Sequence, residues 1–150
     1  MPVFHEFLVR PNITCNNRQS MPQSFQSSDI FIYLGRYDSW LIVLEAMSFG
    51  LPVVSTNAYA MNEVIEDGCT GILVGQGEAP GSSAQRGQGA RESNPMITEA
   101  AFGALMKLLE DVALRRRLGN AARAEVEYGV HSIQYRNSLL KEVFDRALNL

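Results

Sequence analysis

The chain has 150 residues, 46% of them hydrophobic, with 13 basic and 16 acidic side chains and a formal net charge of −3. That length accommodates one domain, residues 1–150, and falls short of two full nucleotide-binding domains. A mildly acidic chain without a basic block argues against nucleic acid as a partner, because phosphate neutralisation needs clustered Lys and Arg. The longest basic run, Arg115-Arg116-Arg117, lies in a helical pattern beside Glu110 and Asp111 and reads as a solvated helix face.

At the N-terminus, residues 1–11 carry His5, Glu6 and Arg10 and have no apolar core of signal-peptide length, so a cytoplasmic location is expected. No stretch of about 18 apolar residues predicts a membrane span. His5-Glu6 opens like a zinc-protease signature, but Val9 stands where the second His is required. With two histidines at no ligand spacing, no metal is expected. Cys15 and Cys69 read as buried thiols of a reducing compartment, and Asn12-Ile13-Thr14 as a sequon without a glycosylating context.

The predicted elements then alternate. Strands are expected at residues 13–16, 30–34 (IFIYL), 52–55 (PVVS, with Pro at the first position) and 71–74 (GILV). Helices are expected at 22–27, 41–49 and 61–66. Continuous apolar runs mark strands buried on both faces, as in a parallel sheet. Strand and helix in alternation predict an α/β, Rossmann-like sheet of about four strands. Residues 75–94 (GQGEAPGSSAQRGQGARESN) contain no aliphatic residue larger than Ala and are expected to form a mobile loop.

Beyond the loop the C-terminal half is all-helical. Asn94-Pro95 is a cap and first-turn proline, followed by the stripe Ile97, Ala101, Leu105, Leu108 and Leu109. Asp111 can cap the next helix, with Leu114, Leu118, Ala121, Ala122 and Val126 on one face, and Gly129 ends it. Ser132 can cap the last, whose Leu139, Leu140, Val143, Phe144, Ala147 and Leu148 are expected to face inward.

Familiar catalytic signatures are missing: there is no G-x-x-x-x-G-K-[ST], no G-x-G-x-x-G after a strand and no G-x-S-x-G. The segment 30–45 carries the chemistry instead. A buried strand leads into a polar and aromatic loop, Gly35 to Trp40, and then into a helix bearing Glu45. In open α/β sheets ligands bind outside the carboxyl ends of the strands, where that loop belongs. The helix start offers free N–H groups and a positive dipole end to a phosphate. Glu45 and Asp38 are placed to accept hydrogen bonds from sugar hydroxyls. On spacing alone they read equally as an exposed helix acid and a loop or cap residue.

The same segment resembles the donor-binding domain of glycosyltransferase family 4. These are retaining hexosyltransferase-type enzymes with two Rossmann-like domains (the GT-B fold) that use nucleotide-diphospho sugars. The resemblance rests on Ser28-Asp29-Ile30-Phe31, Tyr37-Asp38-Ser39-Trp40, Leu44-Glu45-Ala46-Met47, Gly50-Leu51-Pro52-Val53-Val54, Glu63-Val64-Ile65-Glu66-Asp67-Gly68 and Thr70-Gly71-Ile72-Leu73-Val74. It continues through Leu108-Leu109-Glu110-Asp111 and Ala121-Ala122-Arg123. It implies Glu45 and Asp38 as the acid pair, Glu45 on the nucleotide ribose and Asp38 on the donor sugar. It implies that the amides of Ser39, Trp40, Leu41 and Ile42 face the diphosphate of a UDP- or GDP-sugar, with no cofactor and no required metal.

The chain departs from the family pattern at three places. Asp38 and Glu45 form D-x6-E where the family has E-x7-E, and the glycine after the aromatic is absent between Trp40 and Leu41. Tyr59-Ala60-Met61-Asn62-Glu63 stands where Gly-Gly-x-Pro-Glu is frequent. The family's phosphate-binding Arg and Lys have no match, which leaves Arg18 and Arg36 as substitutes. The acceptor domain is unmatched too. The chain is therefore expected to be a C-terminal fragment, inactive alone, that self-associates through its last helix or meets a missing acceptor domain. The alternative is a non-enzymatic interaction module pairing with a longer glycosyltransferase chain.

Overall fold

A computed structural model of the chain describes residues 21–34, 40–58, 60–75 and 95–148. In chain order the elements are α1 (Met21–Gln26), β1 (Phe31–Tyr33), α2 (Trp40–Ser48), β2 (Val53–Thr56), α3 (Met61–Val64), β3 (Gly71–Val74), α4 (Pro95–Glu110), α5 (Val112–Tyr128) and α6 (Ile133–Leu148). The strand expected at 13–16 and residues 76–94 of the expected loop lie outside the described residues. The three described strands form one parallel sheet in the order β1-β2-β3. This is the α/β architecture expected from the alternation, with the C-terminal part helical.

The register decides which side chains share a face. Phe31, Val53 and Gly71 lie side by side, as do Tyr33, Ser55 and Leu73 one pleat further on. That face packs with Val43 and Met47 of α2, Met61 and Val64 of α3, Ile65, and Ala122 of α5. The opposite face presents Val54, Ile72 and Val74 to Ala101, Ala104 and Leu108 of α4 and Leu118 of α5. β2 is buried at every position because helices cover both its faces. Behind α2, Phe25 of α1 joins Ala46 and Leu51 and meets Phe31 edge to face at 5.7 Å.

Two glycines set how α5 crosses the sheet. Gly50, at a positive φ of 74°, turns the chain into β2. A Cβ on Gly119 would lie 2.1 Å from the Gly50 carbonyl oxygen, so only glycine lets α5 pass this close to the amino end of β2. Local chemistry sets the helix ends. The Leu114 N–H donates to the Asp111 side chain at 2.8 Å, the Gly129 N–H closes α5 on the Glu125 carbonyl at 2.9 Å, and the Tyr135 N–H donates to Ser132 Oγ at 3.2 Å. Arg115 donates to the Leu108 carbonyl at 3.0 Å, while Arg116 and Arg117 are exposed, as a solvated face requires.

Three expectations are corrected. The helix expected over 61–66 ends at Val64, because Ile65 is extended and the Glu66 N–H turns to the Thr70 hydroxyl at 2.9 Å. β1 is not buried on both faces. It is an edge of the described sheet, and Ile32, on the α4 side, is 41% exposed. Most markedly, α6 has no buried residue: Leu139, Leu140, Val143, Phe144 and Leu148, expected to face inward, are all exposed. The apolar pattern specified a face and not what covers it.

Candidate functional site

Three parallel strands deliver their outgoing connections to one edge of the sheet, the place where open α/β sheets bind ligands. Leu34 leaves β1 there, Asn57 and Ala58 leave β2, and Gly75 leaves β3. The rim is pinned by the Asn57 N–H donating to the Val74 carbonyl at 2.9 Å, which ties the exits of β2 and β3 together. The Met61 N–H then donates to the Ala58 carbonyl at 3.2 Å as the chain enters α3. Gly75, at φ 86°, bends past Ile97 in the first turn of α4.

α2 begins at this rim, at the end of the connection from β1. Its Val43, Ala46 and Met47 are buried, so the positions on the far side of the helix face outward. These are Leu41 and Glu45, one turn apart and both exposed. Trp40, the first helical residue, is 41% exposed at the rim itself. Ile42 is half-buried between two core clusters, which leaves its amide as the group to offer a ligand. Glu45 lies about 7.5 Å along the axis from Trp40, and helical side chains lean back toward the N-terminus. Among the described residues the carboxylate takes no hydrogen bond; the Glu45 backbone carbonyl accepts one from Ser48 Oγ at 2.6 Å.

Of the sequence-derived candidates, Trp40, Leu41, Ile42 and Glu45 therefore share one helix that starts at the ligand edge. Asp38, Ser39, Arg36 and Arg18 lie outside the described residues. Among the described residues no three His, Cys, Asp or Glu side chains gather to hold a metal. The sequence reading overlooked the polar carboxyl end of β2. Ser55 and Thr56 are buried hydroxyls that follow Val53-Val54 directly, next to Asn57 at the rim. A hydroxyl pair closing an apolar strand was the available signal. Glu63, in the first turn of α3, is exposed, and its carbonyl lies 3.2 Å from His131 Nε2, so the turn between α5 and α6 is anchored to α3.

Among the described residues, one group of altered acidity lies elsewhere. Glu127 accepts a hydrogen bond from Arg123 and its charge adds to the effect, raising the Arg123 pKa above its ordinary value. Arg123 Cδ stands beside Gly50, at the amino edge of β2, on the opposite side of the sheet from the rim. It is not placed to serve an anion at the site.

Comparison with known proteins bears on what this rim does. Residues 5–87, more than half of the chain, match the family model described as glycosyl transferases group 1. The chain is 32% identical over 111 residues to a sulfoquinovosyl transferase of Arabidopsis thaliana, covering 71% of this chain and 18% of that protein. It is 33% identical over 104 residues to a D-inositol 3-phosphate glycosyltransferase of Paenarthrobacter aurescens, covering 69% and 21%. It is 31% identical over 100 residues to an N-acetyl-alpha-D-glucosaminyl L-malate synthase of Bacillus anthracis, covering 66% and 21%. The chain thus spans about a fifth of the length of these curated relatives.

Proposed function

This chain belongs to the group 1 glycosyl transferases, and from that premise we propose that its rim is the nucleotide-sugar site of a retaining glycosyltransferase. In this reading residues 1–150 form part of the C-terminal, donor-binding domain of a two-domain GT-B enzyme of family 4. Such an enzyme moves a sugar from a UDP- or GDP-type donor to an acceptor hydroxyl with its anomeric configuration retained.

The observation that carries the reading is the exposed Glu45 carboxylate on the helix that starts at the rim. A carboxylate accepts from two neighbouring ribose hydroxyls at once, and charged hydrogen bonds of this kind are the strong ones. The amides of Trp40, Leu41 and Ile42 sit at the positive end of α2 and would meet the diphosphate, and the amide of Ser39 is assigned to the same group. Asp38, seven positions before Glu45, is assigned to the donor-sugar hydroxyls. Arg36 and Arg18 are assigned to the developing charge on the leaving diphosphate. That charge is the species an active site must stabilise more than the bound donor. With the donor side alone, residues 1–150 are proposed to bind without turning over.

Titration calorimetry of the 150-residue chain with UDP, GDP and their sugars tests this. Binding is expected, and Glu45→Ala should weaken it about tenfold or more, since a hydrogen bond to a charged group contributes about 1.5–3 kcal/mol. The melting temperature should stay within the range of a neutral surface change. A folded sample that binds no nucleotide at millimolar ligand would remove the site and favour a non-enzymatic module pairing with a longer glycosyltransferase chain. Binding that is indifferent to Glu45→Ala would return Glu45 to an ordinary exposed acid.

A further inference from the structure

We propose that His131, in the turn between α5 and α6, is a positioning residue for the rim. It fixes α3 from the far end, and through α3 it fixes Asn57 and Ala58 at the ligand edge. What the rim binds rests on the nucleotide-sugar reading; the fixing of α3 does not.

α3 has four residues, too few for a helix to hold itself. Its start has no side-chain cap, because Ala60 offers no acceptor. The Glu63 and Val64 N–H groups donate to the Ala60 carbonyl at 3.1 and 3.2 Å, and the Ile65 N–H to the Met61 carbonyl at 2.8 Å. The chain then becomes extended at Ile65, and the Glu66 N–H is taken by the Thr70 hydroxyl. The Glu63 carbonyl, at the end of the helix, is closed from outside by His131 Nε2 at 3.2 Å, across 68 positions of sequence. A carbonyl oxygen only accepts, so Nε2 carries the hydrogen of this bond.

The turn that delivers the ring is itself bonded throughout. The Gly129 N–H donates to the Glu125 carbonyl at 2.9 Å, the Val130 N–H to Glu125 Oε1 at 2.9 Å, and the Ser132 N–H to the Gly129 carbonyl at 3.0 Å. Ser132 is buried and Val130 is exposed, so the turn shows one side to the domain. Beneath it, Ala122 and Val126 of α5 pack in the same cluster as Met61, Val64 and Ile65. Apolar contact of that kind has no direction of its own. The hydrogen bond to Glu63 supplies one.

At its other end α3 runs into the rim. The Met61 N–H donates to the Ala58 carbonyl, the Ala58 N–H to the Thr56 carbonyl at 2.9 Å, and the Asn57 N–H to the Val74 carbonyl. Only Tyr59 and Ala60 separate Ala58 from α3 in the chain. Both stand where glycines are frequent in the family, and neither has glycine's freedom to absorb a displacement. A shift of α3 therefore reaches Ala58.

Amide exchange of the full chain without ligand, and titration of the same samples with UDP and GDP, test the proposal. In His131→Ala, exchange at the Val64 and Ile65 amides should quicken about three- to tenfold, the range spanned by one net hydrogen bond, while Leu118 and Ala122 stay protected. Nucleotide should bind about three- to tenfold more weakly, since binding can lose no more than the bond contributed. His131→Gln, whose side-chain N–H reaches about as far as Nε2, should restore both. His131→Phe, which keeps a ring without a donor, should behave as His131→Ala. Restoration by Phe and not by Gln would mean that His131 only fills space, and would overturn the proposal. Unchanged exchange at Val64 and Ile65 in His131→Ala would overturn it too, as would a wild type whose nucleotide affinity His131→Ala leaves unaltered. A wild type that binds neither nucleotide would strike the nucleotide-sugar reading, and the exchange measurement alone would then uphold or overturn the fixing of α3.

Discussion

α5 and α6 follow one another, are 17 and 16 residues long, and both carry an apolar stripe on a polar helix. α5 buries Leu118, Gly119 and Ala122 beneath the sheet; α6 buries nothing. The strength of the stripe does not separate them. What separates them is size at the point of crossing. α5 places Gly119 and Ala122 where it meets the turn before β2, so the backbones approach until Gly119 touches the Gly50 carbonyl. α6 offers Leu, Val and Phe at its corresponding face and meets no comparable notch. A stripe of apolar residues says that a helix needs cover; the small residues within it say that the cover lies within the same domain.

The sharpest way to break this comparison is to remove the notch. In Gly119→Val the new side chain would have to occupy the space of the Gly50 carbonyl oxygen, backbone that cannot rotate away. α5 must then lift from the sheet, exposing Leu118 and Ala122 together. Overpacking of this kind costs typically 1–3 kcal/mol and more when backbone must move, so a loss above about 3 kcal/mol is expected. Chemical denaturation of the purified variant measures it. A variant of wild-type stability would mean that α5 does not cross here.

A matched pair sharpens the contrast at smaller cost. Leu118 is fully buried between α5 and the α4 side of the sheet, and Leu118→Ala should destabilise the chain by about 3 kcal/mol. Leu148, the same residue type at 83% exposure on α6, should lose no more than about 0.5 kcal/mol when changed to Ala. Equal losses would place α6 in the same core as α5.

This contrast also marks how far the sequence was legible. Strand 71–74, the ends of α5 and the cap of α6 could be read residue by residue, because Asp111, Gly129 and Ser132 act on the backbone a few atoms away. The edge position of β1 in the described sheet could not, since an apolar strand reads alike wherever it lies in a sheet. Nor could the exposure of the α6 face, which is a long-range fact. Gly119 did leave a trace, since a glycine inside a helix costs about 1 kcal/mol relative to Ala; yet Gly103 of α4 leaves the same trace with open space around it. At the candidate site the sequence placed Glu45 on the helix after β1, and it stands there, exposed. Its partnership with Asp38 belongs to residues outside those described, and the buried Ser55 and Thr56 at the end of β2 went unread because two hydroxyls in a strand also fit an ordinary exit to solvent.

The smallest expected effect concerns the two caps, and it separates the helices by kind of readout. Asp111 and Ser132 perform the same task, each accepting the N–H three residues ahead, at 2.8 and 3.2 Å. Removing either cap with Ala should cost its own helix about 1 kcal/mol. For α5 that helix is part of the core, so Asp111→Ala should lower the melting temperature of the whole domain by about 2–4 °C. α6 buries no side chain that could transmit the loss, so Ser132→Ala should leave the main transition in place. Amide exchange would then quicken across α6 while α5 stays protected, because local opening is set by the packing of each segment. If Ser132→Ala instead shifted the main transition as far as Asp111→Ala does, α6 would be coupled to the core through the Ser132 turn, where His131 reaches the Glu63 carbonyl, and the contrast between the two helices would fall with it.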